Sequence, residues 1–375
     1  MQFNFRCPTR IFFGRDCIAQ NGSEFTALGK KALIVTGGSS SKGNGSLKDV
    51  MAILNQENIE YQVFDGIEQN PSLTTVFRGG RKGREMAADF IIGIGGGSPL
   101  DAAKAVAILA VNDVDEQDFI ARKWTRQPLP VVAVPTTAGT GSEVTPYAVF
   151  TVDWAESKML IAGENLFPAL AFLDGKYMLD LPWDVTANTA VDALTHGIEG
   201  YINKKATVFT DLLALESISI IGKLLRQINP EHISLEEREQ LLYASMLAGM
   251  VVAQTSANIV HAMGYPFTYF KGLPHGLANG VILQPALEFL AQGSPGRVEQ
   301  VMKAMGCQDL TEVGDLLGKV LPATDIRLTS KETEKFVAKT MQVKNLDNCP
   351  VRPGEKDVAA ILSKITLAGS SSKAN

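Results

Sequence analysis

The sequence predicts an α/β domain built on a parallel sheet, followed by an all-helical domain. In the first half of the chain, short apolar runs rich in β-branched residues alternate with segments of helical period, which is typical of βαβ units. After Leu181-Pro182, strand patterns give way to long helical ones. The chain has 375 residues, a length at which one hydrophobic core usually divides into two. We therefore expect one domain over residues 1–181 and a second over residues 182–375.

The expected strands of the first domain are short, and most of them run into a glycine or a proline. Glycine and proline end strands because they favour turns, so each run is bounded by a connection. The predicted strands are residues 32–36, 61–64, 90–94, 131–134 and 169–173, with a hairpin formed by 147–152 and 158–162 and with helices at 47–55 and 99–111.

The second domain is predicted to consist of helices, for example over residues 210–227 and 236–252. The uncharged segment 241–260 has the length of a membrane span, but polar residues such as Gln254 would need hydrogen-bond partners in lipid. We therefore interpret this segment as a buried helix and expect no membrane association. The serine-rich tail, residues 370–375, is expected to be disordered.

Charge and cysteine content argue against several classes of protein. Lysine and arginine number 35 against 40 aspartate and glutamate, a formal net charge of −5, so a nucleic-acid partner is not expected. The four cysteines are scattered and form no C-x-x-C pair, which is typical of reduced thiols in the cytoplasm. A homodimer is the expected assembly, because it is the commonest closed arrangement.

Two turns rich in glycine and hydroxyl groups follow predicted strands. Gly95-Gly96-Gly97-Ser98 lies between a strand and a helix, where free N–H groups at the start of the helix favour a phosphate. Residues 135–143 follow the next strand, and both loops should meet at the carboxyl edge of the parallel sheet. A plain tight turn is the alternative for either loop alone. Together they favour the pyrophosphate and ribose of a dinucleotide.

The turn after the first strand bears on which dinucleotide is bound. An NAD site usually places a carboxylate near the ribose 2′-hydroxyl, whereas this strand ends in Gly37-Gly38-Ser39 with Lys42 close by. Such a turn accommodates a 2′-phosphate, so NADP is expected rather than NAD. Two alternatives stay open: Asp65, after the next strand, is the ribose ligand, or Lys42 is a solvated loop residue.

The histidines suggest a metal site. Asp192 and His196 are four residues apart, which places them on one face of a helix, and His261 and His275 follow later in the chain. One carboxylate and three imidazoles suit Fe²⁺ or Zn²⁺. An Asp–His pair at this spacing is more often an ordinary helix-surface contact, and spacing alone does not establish that distant histidines converge. From the residues alone, the metal site is a hypothesis.

Taken together, these motifs resemble the iron-containing (group III) alcohol dehydrogenase family. The resemblance spans roughly residues 1–360 and includes the segments Val191–Glu199 and Pro274-His275-Gly276 besides the glycine turns. It implies a dehydroquinate synthase-like architecture, in which a dinucleotide-binding domain precedes an all-helical, metal-binding catalytic domain. The Gly37-Gly38-Ser39 turn is similar to that of the NADP-dependent butanol and 1,3-propanediol dehydrogenase branch.

The resemblance also implies which residues hold the metal and the cofactor. The implied metal ligands are Asp192, His196, His261 and His275, which act in catalysis through the metal. The implied cofactor-binding residues are Gly37, Gly38, Ser39, Asn70, Gly95, Gly96, Gly97, Ser98, Asp101, Thr136, Thr137, Thr140 and Lys158. Many relatives carry a further histidine, thought to help move protons, four residues after the third ligand, where this chain has Tyr265. Both a substitute role in proton transfer and a packing role are open for Tyr265.

The activity implied by the resemblance is reversible hydride transfer between NADP(H) and a small primary alcohol or aldehyde. Two alternatives remain. A lyase of the dehydroquinate synthase type would use a metal and NAD, but it would need a strongly basic pocket, and such Lys and Arg clusters are not evident in the sequence. A non-catalytic nucleotide-binding protein would bind the cofactor without turnover. The identity of the alcohol or aldehyde is not encoded in these motifs.

Overall fold

The structure, a computed structural model, describes residues 2–371, with side chains described as far as residue 365. Residues 372–375, the end of the tail expected to be disordered, lie outside the described residues. The described chain forms two compact units. The α/β unit comprises residues 6–181 with 233–242, and the helical unit comprises residues 2–5, 182–232 and 243–371.

Relative to a single division after residue 181, two short segments are exchanged: residues 2–5 lie in the helical unit and residues 233–242 lie in the α/β unit. Contacts with the α/β unit explain the second exchange. The guanidinium of Arg238 donates a hydrogen bond to the carbonyl of Leu181 (2.8 Å), and Glu239 pairs with Arg15 (2.9 Å). These long-range contacts attach the start of a helix to the α/β unit although the chain has already left it.

The α/β unit alternates strands and helices. Its strands are β1 (Arg10–Phe13), β2 (Lys31–Gly37), β3 (Glu60–Ile67), β4 (Phe90–Gly95), β5 (Val131–Pro135), β6 (Tyr147–Val152), β7 (Ser157–Ala162) and β8 (Leu170–Leu173). Its helices are α1 (Cys17–Gln20), α2 (Ser40–Gly43), α3 (Ser46–Gln56), α4 (Leu73–Glu85), α5 (Gly97–Leu109) and α6 (Glu116–Ile120).

Six of these strands form one parallel sheet in the order β1-β8-β5-β4-β2-β3. The sheet is buried on both faces. Along β2, Leu33 and Val35 belong to the apolar cluster that contains α5 residues, whereas Ala32 and Ile34 belong to the cluster that contains α3 residues. This alternation is what a parallel sheet covered by helices on both sides requires.

The predicted strands of this unit are confirmed, as is the antiparallel hairpin of β6 and β7. Strand β1, a four-residue edge strand that pairs with β8, was not among the predicted strands. In the register of β4 and β5, Gly95 lies opposite Pro135. The two glycine-rich turns therefore leave the sheet side by side, at the same edge, as expected.

The helical unit contains no strand among the residues described, which confirms the all-helical prediction. Its helices are α7 (Trp183–Tyr201), α8 (Val208–Gln227), α9 (Leu235–Thr255), α10 (Ile259–Lys271), α11 (His275–Ala291), α12 (Pro295–Met305), α13 (Leu310–Val320), α14 (Ser330–Met341) and α15 (Glu355–Ser371), α9 starting in the α/β unit.

The uncharged segment 241–260 is not one helix, contrary to the prediction. It is broken between α9 and α10, where Ser256 adopts a left-handed φ of 61°. Within the described chain, no single helix meets the length and hydropathy that a membrane span needs. Only α9 and α10 taken together do so, and they are bent by 106° at their junction.

Candidate active site

Helix α7 carries three ionisable side chains on one buried face. The helix begins directly after Pro182, and every residue from 190 to 201 is buried. Asp192, His196 and Glu199 follow one another at spacings of four and three residues, so they share a face. Burial of such groups is costly unless they are paired with charges or bound to a metal. Their partners come from two other helices.

Helices α10 and α11 supply the other two histidines. His261 is the third residue of α10, and His275 is the first residue of α11. A Cβ atom on Gly276 would lie 1.7 Å from the carbonyl oxygen of Asn188 in α7. The start of α11 therefore rests directly on the backbone of α7, and the absence of a side chain at residue 276 brings His275 close to Asp192.

The donor atoms of Asp192, His261 and His275 lie within 4.8 Å of one another. Nε2 of His261 is 3.6 Å, and Nε2 of His275 is 3.9 Å, from Oδ1 of Asp192. Two ligands held at about 2.1 Å from one tetrahedral ion would be roughly 3.4 Å apart. These three residues thus fit a single divalent ion, and an oxygen-and-imidazole donor set suits Fe²⁺ or Zn²⁺.

The fourth predicted ligand, His196, is adjacent to this group but outside it. Its ring stacks on that of His261, with centroids 4.5 Å apart and planes inclined by 22°. Its ring nitrogens are not part of the set of donor atoms within 4.8 Å of one another. The structure therefore brings three of the four predicted ligands together and places the fourth ring against one of them.

Two further residues contact the metal-ligand candidates and were not predicted. The amide nitrogen of Asn279 donates to Oδ1 of Asp192 (2.9 Å) and lies 3.3 and 3.4 Å from the Nε2 atoms of His261 and His275. Oε2 of Glu199 is in hydrogen-bond contact with Nδ1 of His261. Helical spacing was the available signal, since Glu199 is seven residues after Asp192 and Asn279 is four after His275.

The charges of this cluster shift the pKa values of its members. Burial would raise the pKa of Asp192, but the neighbouring imidazoles of His196, His275 and His261 hold it well below its usual range. Burial would lower the pKa of His261, but the carboxylates of Glu199 and Asp192 raise it. Asp192 is therefore held as a carboxylate, the form that binds a cation.

Tyr265, the residue that departs from the family pattern, lies beside His275. It is one turn after His261 on α10, and its ring is nearly parallel to that of His275, with centroids 5.9 Å apart. The side chain of His275 is 25% exposed, against 5% for Asp192 and 4% for His261. Solvent thus reaches this cluster on the side of His275 and Tyr265.

In the α/β unit, the two glycine-rich turns pack against each other. The close approaches are Gly95 to Thr136, Gly96 to Thr137 and Gly97 to Thr140. The N–H of Thr136 donates to the carbonyl of Gly95 (2.9 Å), and a methyl group on Gly97 would lie 2.6 Å from Thr140. The glycines therefore allow the threonine loop, residues 136–140, to lie over the start of α5. Free backbone N–H groups at the start of a helix favour an anion.

Asn70 and Lys158 lie in the same neighbourhood of this unit. The N–H of Asn70 donates to Oγ of Ser98 (3.1 Å), and the carbonyl of Asn70 accepts from Oγ1 of Thr151 (3.0 Å). Thr151 is paired with Lys158 across the hairpin of β6 and β7. The structure thus connects Asn70 and Lys158, predicted from the resemblance alone, to the turn before α5.

Asp101 differs from the other predicted cofactor residues because protein groups occupy both of its oxygens. Oδ1 accepts from Oγ of Ser142 (2.5 Å) and lies 3.7 Å from Nζ of Lys104, and Oδ2 accepts from the N–H of Val149 (3.1 Å). Burial lowers the pKa of Lys104 to about 8 and raises the pKa of neighbouring Glu143 to about 7. Asp101 thus ties α5 to Ser142 and to strand β6.

Strand β2 ends at Gly37, and Gly38 and Ser39 connect it to α2, which contains Lys42. Nζ of Lys42 donates to Oδ2 of Asp65 near the end of β3 (2.6 Å), and each side chain is about half exposed. The hydrogen bond and charge of Lys42 lower the pKa of Asp65. The two residues that the sequence offered as alternatives for the ribose end of the cofactor are therefore paired with each other.

Comparison with known proteins identifies the family. A profile described as iron-containing alcohol dehydrogenase matches residues 8–175, and one described as Fe-containing alcohol dehydrogenase family, C-terminal, matches residues 186–366. The 1,3-propanediol dehydrogenase of Klebsiella pneumoniae is 36% identical over 311 residues, which cover 81% of this chain and 79% of that protein. The NADPH-dependent butanol dehydrogenase of Clostridium saccharobutylicum is 35% identical over 304 residues, which cover 80% and 77%.

Solved structures agree with the sequence matches. The crystal structure of an iron-containing alcohol dehydrogenase from Thermotoga maritima superposes with a TM-score of 0.91 at 39% identity, covering 97% of this chain and 99% of that one. The architecture predicted from the resemblance, a parallel-sheet domain followed by a helical domain, is thereby confirmed. This chain belongs to the iron-containing alcohol dehydrogenase family, a family of oxidoreductases.

Proposed function

We propose that this protein transfers a hydride between NADP(H) and a small primary alcohol or aldehyde, with the help of a divalent metal. The observation that carries the proposal is the convergence of Asp192, His261 and His275, which come from three helices, around one point in the helical unit. The membership of this protein in a family of alcohol dehydrogenases supports hydride transfer as the reaction class.

Asp192, His196, His261 and His275 are the proposed metal ligands. His196 is included because it shares a helix face with Asp192 and packs on His261. A change in the orientation of its ring would bring a ring nitrogen to the other three ligands. A bound Fe²⁺ or Zn²⁺ would supply Lewis acidity, which lowers the pKa of an alcohol and polarises a carbonyl. One carboxylate with neutral imidazoles leaves the site net positive, and burial of Asp192 and His261 restricts solvent access to the side of His275.

Substrate is proposed to approach at His275 and Tyr265, the exposed side of the cluster. The phenol of Tyr265 can donate or accept a proton at its oxygen, so we assign it the proton transfer that the family resemblance implies for a histidine at this position. Its stacking on His275 supports this assignment by holding the ring at the open side of the site.

The cofactor is proposed to bind through the packed turns of the α/β unit. The pyrophosphate would lie at residues 95–98, and Thr136, Thr137, Thr140, Asn70 and Lys158 would line the rest of the site. NADP is favoured over NAD because the turn after β2 has glycines and Ser39 where a carboxylate would repel a 2′-phosphate. A relative whose name specifies NADPH supports this choice.

We also propose that the enzyme acts in the cytoplasm as a homodimer. Cys7, Cys17, Cys307 and Cys349 are free thiols, which fits a reducing compartment. Sedimentation equilibrium of the purified protein tests the dimer.

The decisive experiment combines metal analysis with an aldehyde screen. Freshly purified protein is expected to contain Fe or Zn and to reduce short aldehydes faster with NADPH than with NADH.

Asp192→Ala and His275→Ala should abolish both metal retention and turnover while the chain stays folded by circular dichroism. His232→Ala, which removes an exposed histidine outside the cluster, should change neither. Undiminished aldehyde reduction by a metal-free Asp192→Ala protein would falsify the assignment. Product formation without any net change in the cofactor would instead indicate a lyase.

A further inference from the structure

We infer that Glu199 is a positioning residue that sets the tautomer of His261 and thereby the metal affinity of the site. This inference rests on the proposed function only in taking His261 as a metal ligand. Glu199 is fully buried in α7, one turn beyond His196, and it approaches the first turn of α10. It belongs neither to the predicted ligands nor to the predicted cofactor residues.

Both oxygens of Glu199 are engaged, and they have different partners. Oε1 accepts hydrogen bonds from the backbone N–H groups of Asn258 (3.1 Å), Val260 (2.7 Å) and His261 (3.3 Å). Oε2 contacts Nδ1 of His261. Because α10 begins at Ile259, the carboxylate lies at the N-terminal end of this helix, where backbone N–H groups have no partner within the helix.

These partners dictate the position of the imidazole proton. Backbone N–H groups only donate, so Glu199 remains an acceptor, and an ionised carboxylate offers no proton to Nδ1. Nδ1 of His261 must therefore carry the proton and donate it to Oε2. In the neutral ring, the form that binds a metal, Nε2 then holds the lone pair, and Nε2 is the atom that faces Asp192 at 3.6 Å. A carboxylate on the distal ring nitrogen is a recurrent way to orient a metal-binding histidine.

The substitution Glu199→Gln tests this arrangement with little change in shape. If the amide oxygen keeps the three backbone N–H groups, the amide nitrogen donates to Nδ1 and the proton moves to Nε2, which then cannot bind a metal. In the opposite orientation, the amide NH₂ faces three N–H donors, so three hydrogen bonds are lost, whereas the first orientation keeps all of them. The first orientation is therefore expected, and the second would also weaken the site.

We expect Glu199→Gln to fold and to bind Zn²⁺ roughly 10- to 100-fold more weakly in competition with a chromophoric chelator. Long-range ¹H–¹⁵N spectra report the tautomer directly, and the chain has only four histidines to assign. Asp211→Asn is the matched control, because it removes a carboxylate that pairs with Arg297 (3.0 and 2.8 Å) in the same unit. That variant should lose stability and keep its metal affinity.

If Glu199 only held the start of α10, Glu199→Gln would lower metal affinity equally whether or not His261 is present. In the background of His261→Ala, Glu199→Gln should cause no further loss of metal affinity if Glu199 acts through His261. If Glu199→Gln does not fold, Glu199→Asp keeps the charge but withdraws the carboxylate by one methylene, and it too should bind Zn²⁺ more weakly. Wild-type affinity in either folded variant, or an equal loss with and without His261, would overturn the inference. Wild-type protein that binds metal but reduces no aldehyde would refute the proposed function alone.

Discussion

Replacing Gly276 with alanine tests whether the packing of α11 on α7 sets the position of His275. The new Cβ would lie 1.7 Å from the carbonyl oxygen of Asn188, whereas ordinary contacts begin at 3.4 Å. The two backbones must therefore separate by about 1.7 Å, and no side chain can rotate to relieve the clash. Metal–ligand distances tolerate only about 0.2 Å. His275 is the neighbouring residue, so it leaves the site with the backbone.

We expect Gly276→Ala to lower Zn²⁺ affinity by on the order of 100-fold and stability by about 1–3 kcal/mol. Affinity is measured by chelator competition, and stability is measured by urea unfolding of the metal-free protein, so that the two effects are separated. Gly318→Ala is the matched control, because Gly318 lies within helix α13 of the same unit and no atom lies within 4 Å of its added Cβ. That variant should keep its metal affinity and gain up to about 1 kcal/mol of stability.

The refuting result is a folded Gly276→Ala protein that binds Zn²⁺ as tightly as the wild type. Such a result would mean that α11 can move away from α7 without displacing His275. The close backbone contact would then be a packing feature only, and the position of His275 would depend on other contacts of α11.

Three further predictions follow from the pairs and shifts described above. Lys42→Ala should weaken NADPH binding roughly tenfold and leave NADH binding unchanged. Asp65→Ala should strengthen NADPH binding, because Lys42 loses its partner. Equal effects of either substitution on both cofactors would contradict this prediction. Burial raises the pKa of Glu143 from 4.5 to about 7, so its contribution to stability is present below pH 4.5 and is lost as the pH rises through 7. Glu143→Gln should therefore be more stable than the wild type at pH 8 but not at pH 4.5 in urea unfolding, and a difference that does not change with pH would contradict this. Tyr265→Phe should keep the metal and the stacking on His275 but lower kcat by on the order of 100-fold and change its pH profile; an unchanged kcat would leave Tyr265 a packing role.

Local patterns were sufficient to predict most elements and several site residues. The alternation of strands and helices in the first half predicted the parallel sheet. The hydrophobic period of each strand or helix involves only residues close together in the sequence, so it can be recognised from the sequence alone. In the same way, the spacing of Asp192 and His196 placed both on one face of α7, and it would have placed Glu199 there too. The glycine turns were recognisable because a strand precedes each of them and a backbone approach needs residues without side chains.

Only the tertiary structure decided which distant residues meet. The edge strand β1 forms because Arg10 pairs with Leu170, a partner that no local pattern around residue 10 indicates. His261 and His275 converge on Asp192 because helix packing, including the contact of Gly276 with α7, fixes their positions. Sequence periodicity describes the faces of single elements, whereas these contacts depend on how the faces pack over long separations along the chain.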